Sequence, residues 1–199
     1  MPAHDPRIAA AVLAAGSSSR MGRNKLLLEW EGESLLARAV GTAHAAGLDP
    51  LVVVVGFDSD RVADLLASRP CRLVTNPTHE LGMHSSAAAA AKAVAQEADA
   101  LVILLADMPL VTISMLRKIK AEYLSTSSRL VVSRYGDVVA PPTLFDRALF
   151  PRLQALRGGS VKALVEEFWQ DAAVIEWSPS RLRDIDTPDD FAALGSVES

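Results

Sequence analysis

The runs Ile8–Leu13, Leu51–Val55 and Leu101–Leu105 are apolar at nearly every place, without the alternation of a half-exposed strand. A run of that kind belongs in a sheet covered on both faces, the situation of parallel strands joined by crossover helices. Shorter strand candidates follow at Leu73–Thr75, Leu130–Ser133 and Ala172–Glu176. Amphipathic stretches lie between them at Ser34–Ala46, Asp60–Ala67, Ser85–Glu97 and Thr112–Leu124. Ser34 and Thr112 are placed as helix N-caps, and Gly47 is placed to end the first helix. Strand and helix in strict succession predict a doubly wound α/β sheet with ligands at the C-terminal ends of its strands. The second half is less regular. Arg134–Phe145 holds Gly136, Pro141 and Pro142, which predicts a turn and an edge excursion rather than a central strand. Short helices are expected at Arg147–Leu156 and Ser160–Trp169, separated by Gly158-Gly159, and a last one after Thr187 as N-cap, with Pro188 at its first position.

The first apolar run stops at Ala14-Ala15-Gly16-Ser17-Ser18-Ser19-Arg20-Met21-Gly22-Arg23-Asn24-Lys25. A buried strand thus delivers a loop of small residues to its C-terminal end. Gly16 and Gly22 let backbone N–H groups approach a ligand without a Cβ in the way, and Arg20 and Lys25 supply positive charge for an anion. The pattern suits phosphate. It is not the dinucleotide fingerprint, because Ser18 stands where the second glycine belongs. It is not a P-loop either, because five residues separate the glycines and Arg23 follows the second.

Two acidic places could complete such a site. Asp107, in Leu105-Ala106-Asp107-Met108-Pro109, follows a buried strand and projects into the same crevice as the opening loop. Read by itself it serves equally as a Mg²⁺ ligand or as a cap on the turn before Pro109. Asp184-Ile185-Asp186-Thr187-Pro188-Asp189-Asp190 reads by itself as capping chemistry at a helix start. Between them, Asn76 to Ser86 leads into an alanine-rich helix, with Gly82 giving a sharp loop and Ser85 and Ser86 near the helix's free N–H groups. His84 in this loop reads as a surface residue rather than a base, and His4, His44 and His79 show no metal-ligand spacing.

The string from Leu13 to Lys25 fills every fixed place of L-A-A-G-x-S-x-R-M-G-x-x-K, and the chain thereby resembles the molybdenum cofactor cytidylyltransferase-like (MobA-like NTP transferase) family. L-A-D-M-P at Asp107, the N-x(5)-G-M-x-S-S segment from Asn76 and D-I-D-T-P-x-D around Asp186 resemble further family motifs in the same order. The resemblance implies a three-layer α/β/α Rossmann-like nucleotidyltransferase fold with a mostly parallel sheet. It implies one domain over residues 1–199, with the part to about residue 133 binding nucleotide and the remainder binding the acceptor. It implies transfer of CMP from CTP to molybdopterin or the molybdenum cofactor, with Mg²⁺ as the metal and a molybdoenzyme receiving the product. Ala14, Ala15 and Gly16 would meet base and ribose through backbone with Leu13 beside them in the nucleotide site, Arg20 and Lys25 would grip the triphosphate, and Asn76, Gly82 and Ser85 would meet the nucleotide or the second substrate. Asp107 and Asp186 would hold the metal, with Arg20, Lys25 and Asp107 the catalytic set. The Ala14-Ala15-Gly16 form is the one associated with cytidylyl transfer. The chain departs from its relatives at Ala140-Pro141-Pro142, where a glycine often stands, and at Gly158-Gly159-Ser160-Val161-Lys162, which lacks an acid. Both departures lie in the half expected to bind the acceptor. They leave open a sugar or alditol phosphate as acceptor, or an escort that binds cofactor without catalysis.

The 199 residues, half of them hydrophobic, suffice for one sizeable core. A net charge of −4 gives no electrostatic footprint for nucleic acid or an anionic membrane. Cys71 is the single cysteine, so an internal disulfide and a thiolate cluster are excluded and a buried thiol is expected. Met1 to Pro6 does not read as a signal peptide, and no apolar run is long enough to span a bilayer, so a cytoplasmic protein is expected.

Overall fold

The computed structural model describes residues 5–16, 25–56, 58–156, 160–185 and 187–194. Arg20, Asp186 and the Gly158-Gly159 pair, singled out above, lie outside the described residues. The strands are β1 (Ile8–Ala14), β2 (Glu29–Trp30), β3 (Glu33–Ser34), β4 (Leu51–Val55), β5 (Arg72–Thr75), β6 (Ala100–Leu105), β7 (Leu130–Tyr135), β8 (Val138–Asp146) and β9 (Ala172–Trp177). The helices are α1 (Leu35–Ala45), α2 (Ser59–Leu66), α3 (Met83–Val94), α4 (Ile113–Ser125), α5 (Phe150–Gln154), α6 (Val161–Glu167) and α7 (Pro188–Leu194).

Seven strands form one sheet in the order β5-β4-β1-β6-β8-β7-β9, while β2 and β3 make a separate hairpin. β8 pairs antiparallel with both its neighbours, and every other pairing in the large sheet is parallel. The unbroken apolarity of β1 follows from its place at the centre. Ile8, Ala10, Val12 and Ala14 enter a core shared with α1, α2 and α4, while Ala9, Ala11 and Leu13 enter the opposite core with α3, α5 and α6. A period of two thus divides one apolar run between two faces, giving three layers. On α3, Ala87, Ala90 and Ala91 are fully buried, and their small side chains let the helix backbone lie close to the sheet.

The expected caps are present. Ser34 Oγ accepts from the Ala37 N–H at 3.2 Å and Thr112 Oγ1 from the Met115 N–H at 3.3 Å. Gly47 follows α1 with φ +73°, a conformation that a side chain would strain. Thr187 and Asp190 cap α7 reciprocally, the Asp190 N–H donating to Thr187 Oγ1 at 3.2 Å and the Thr187 N–H to Asp190 Oδ2 at 2.7 Å. Cys71 is half-buried, and burial raises its thiol pKa while nearby Arg69 opposes the shift.

One expectation fails. Residues 138–146 form no edge excursion but an interior strand, β8, between β6 and β7. The prolines are accommodated because neither neighbour pairs with them. β6 pairs with β8 only as far as Ile103 opposite Thr143, and the β7 register shifts between Val131 and Ser133. Side chains from β7 then satisfy the carbonyls in the gap, Ser133 Oγ donating to Pro142 O at 2.7 Å and Tyr135 OH to Pro141 O at 3.0 Å. Proline enters an interior strand here at a bulge, where no ladder N–H is required. Among the described residues, no helix is long and apolar enough to cross a membrane.

Candidate active site

From β1 the chain moves to β4 and β5 on one side, then returns to β6 on the other side of β1. The strand order reverses at that point, so the paired C-terminal ends of β1 and β6 mark the switch point at which open α/β sheets place their ligand crevice. The Ala106 N–H donates to Leu13 O at 3.3 Å, which ties the two exits together. Leu13, Ala14 and Ala15 are buried and offer this crevice chiefly their backbone, whereas Gly16 is exposed. A Cβ built on Gly16 meets nothing within 4 Å among the described residues.

Lys25 opens a single 3-10 turn, Lys25–Leu27, which is held by burial of Leu26 and by the Leu28 N–H donating to Lys25 O at 3.1 Å. That turn directs Lys25 Nζ onto Asp107 Oδ2 at 2.7 Å, with the two side chains only 12% and 19% exposed. The other carboxylate oxygen, Asp107 Oδ1, is buried and has no hydrogen-bond partner among the described residues. An ionised oxygen without a donor is costly in a dry site unless a cation completes it. A hard oxygen ligand suits a cation such as Mg²⁺, which binds through one or two carboxylates together with substrate phosphates. No group of three or more His, Cys, Asp or Glu that could hold a metal occurs among the described residues. Asp107 therefore fits a divalent cation.

Farther along the same edge, beyond β4 and β5, stands a second polar group. Asn76 is buried, and its Nδ2 donates to Ser85 Oγ at 2.8 Å and to Ser86 Oγ at 3.0 Å. Its Oδ1 accepts from the N–H and the hydroxyl of Thr78, both at 3.0 Å. Ser85 Oγ in turn donates to Gly82 O at 2.8 Å. Gly82, at φ +104°, turns the chain into α3. In this arrangement the side chains of Asn76 and Ser85 are engaged in shaping the loop. Just past β4, Gly56 lies under the His79 ring: a Cβ there would come within 2.5 Å of it.

The spacing of the sequence gave no sign of a further cluster beside Asp107. Met108, Met115 and Tyr135 are buried together, with Trp177 and Leu182 packed against them. Burial raises the Tyr135 phenol pKa well above its ordinary value, and the charge of Asp184 adds to the rise. Lys118 Nζ stands 5.1 Å from the centre of the Trp177 ring, and the indole N–H of Trp177 is buried without a partner among the described residues.

Open α/β sheets bind ligands at a switch point of this kind, and here it carries a cation and a carboxylate. The profile of the MobA-like NTP transferase domain matches residues 10–173, and the chain belongs to that family. It is a nucleotidyltransferase of that family. The chain is 32% identical over 197 residues to the purine catabolism protein PucB of Bacillus subtilis (strain 168), covering 94% of this chain and 95% of that one. It is 27% identical over 183 residues to the molybdenum cofactor cytidylyltransferase of Escherichia coli (strain K12), covering 90% and 91%. The crystal structure of Rv0371c from Mycobacterium tuberculosis H37Rv superposes with a TM-score of 0.84 at 29% identity, covering 95% of this chain and 97% of that one. Rv0371c has also been solved in complex with manganese, with a TM-score of 0.72 at 26% identity, covering 96% and 99%.

Proposed function

We propose that the chain is a Mg²⁺-dependent cytidylyltransferase that joins CMP from CTP to the terminal phosphate of molybdopterin or the molybdenum cofactor. The observation that carries this reading is the Lys25–Asp107 pair at the β1/β6 switch point, with Asp107 Oδ1 buried and open. The Ala14-Ala15-Gly16 sequence supports cytosine as the base, and the Escherichia coli relative supports the acceptor.

The acceptor's phosphate oxygen attacks the α-phosphorus of the nucleotide, the bond from that phosphorus to the bridging oxygen breaks, and pyrophosphate leaves. The nucleophile is already ionised, so the protein needs no general base. Its task is to align the two phosphates and to stabilise charge that develops between them. Ala15 and Gly16 bring backbone to the nucleotide, and Gly16 leaves room for it. Arg20 and Lys25 hold the triphosphate, and Lys25 Nζ, already aimed into the crevice, meets the transferring group. Asp107, with Asp186, would hold the cation, which when bound neutralises phosphate charge. Residues up to about 133 handle nucleotide, and the remainder of the single domain handles the acceptor.

A second reading keeps the chemistry and changes the acceptor to a sugar or alditol phosphate. Its support is the departure from the relatives at Ala140–Pro142 and at Gly158–Lys162. Pyrophosphate release from CTP and Mg²⁺ separates the readings: release with molybdopterin supports the first, while silence with molybdopterin and release with another phosphorylated acceptor supports the second.

A further inference from the structure

The loop that carries Asp107 is held from outside by the end of the chain. Leu182 packs against Met108 in the cluster with Met115 and Tyr135. Three residues later, the Ile185 N–H donates to the backbone oxygen of Asp107 itself at 3.1 Å. Ile185 is fully buried with Leu35 and Leu194, and Leu110, Trp30 and Phe191 pack on that trio. The C-terminal segment therefore meets the residues that follow Asp107 at two apolar clusters, one holding Met108 and one holding Leu110, and from the second of these Ile185 hydrogen-bonds Asp107 itself. The trio around Ile185 shares no residue with the cores that flank the sheet, whereas the Met108 cluster joins them through Leu105, Val111 and Trp177.

We propose that Leu182, Ile185, Phe191 and Leu194 form a positioning clamp that fixes Asp107 for metal binding, so that apolar residues outside the crevice set metal affinity. The clamp rests on the reading of Asp107 as the metal carboxylate. A carboxylate on a short turn points where its backbone points, and groups that orient a ligand from behind commonly change metal affinity ten-fold or more. The trio around Ile185 is small and peripheral, so loosening it leaves the sheet cores intact.

Mn²⁺ binding to the whole chain, followed by the electron paramagnetic resonance of free Mn²⁺, tests the clamp alongside thermal unfolding and amide exchange at Ile185. Phe191→Ala and Leu194→Ala are each expected to weaken Mn²⁺ binding by about ten-fold. Both should speed exchange of the Ile185 amide with the main unfolding transition nearly unmoved, and Leu194→Met should restore binding. Phe191 is only partly buried and keeps the test available if Leu194→Ala fails to fold. Unchanged Mn²⁺ affinity in both variants, with Asp107→Asn losing it, removes the clamp and leaves the metal reading standing. The same comparison in an Asp186→Asn background separates Asp107 from Asp186, the neighbour of Ile185: a further ten-fold fall keeps the clamp, whereas no further fall, or a fall that only tracks global stability without rescue by Leu194→Met, overturns it. Equal Mn²⁺ binding by Asp107→Asn and the natural chain removes the metal reading and the clamp together.

Discussion

On the C-terminal edge of the sheet, Asn76 engages both its amide hydrogens and its oxygen inside the protein, whereas Asp107 shares one oxygen with Lys25 and keeps the other buried without a partner among the described residues. Both residues are polar, and both follow a strand of the same parallel group. The difference teaches how to divide the edge. A saturated group such as Asn76 holds the architecture, and removing it unsettles its neighbours. A group such as Asp107, with one oxygen unpaired among the described residues, is placed to meet a ligand.

The sharpest way to break this contrast is to remove the incomplete pair. Lys25→Ala and Asp107→Asn should each lower turnover by about two orders of magnitude or more, because charge on the transferring phosphate loses its partner. Asp107→Asn keeps the shape and an acceptor for Lys25, so its unfolding free energy in urea should fall by only about 1 kcal/mol. A near-normal rate in either variant would place the chemistry elsewhere.

Asn76→Ala should give the reverse profile. It strands Ser85, Ser86 and Thr78 and should cost about 3 kcal/mol in urea unfolding, with a smaller loss of turnover than at Lys25. A large loss of turnover at unchanged stability would mean that Asn76 belongs to the reacting set. Gly56→Ala probes the same shoulder. Its Cβ would fall within 2.6 Å of His79 Cβ and should cost about 2 kcal/mol. Adding His79→Ala should recover part of that loss, and simple additivity in the double variant would argue against the contact. The smallest effect is expected at Ser34→Ala, which removes the α1 cap on the Lys25 side for about 1 kcal/mol and leaves turnover unchanged.

Much of this was legible in the sequence, for identifiable reasons. Continuous apolarity disclosed the buried parallel strands, and short-range caps at Ser34, Thr112 and Thr187 fixed where helices begin. The motif around Lys25 and the position of Asp107 after an apolar run placed both at one crevice. β8 was hidden because two prolines argue against an interior strand, and only Ser133 and Tyr135, on the neighbouring strand, supply the hydrogen bonds that permit them. The role of Asn76 was hidden for a related reason. A motif identifies an asparagine near a site but not whether its side chain is already engaged. The link from Ile185 to Asp107 spans 78 residues and passes through a backbone N–H, which leaves no mark on residue identity.

Transfer of label from [α-³²P]CTP to molybdopterin, compared between the natural chain and Asp107→Asn, tests the assignment of the transferring site most directly. The expected result is labelled dinucleotide from the natural chain and a rate lower by about two orders of magnitude or more from the variant. Label transfer by Asp107→Asn at the natural rate would contradict it.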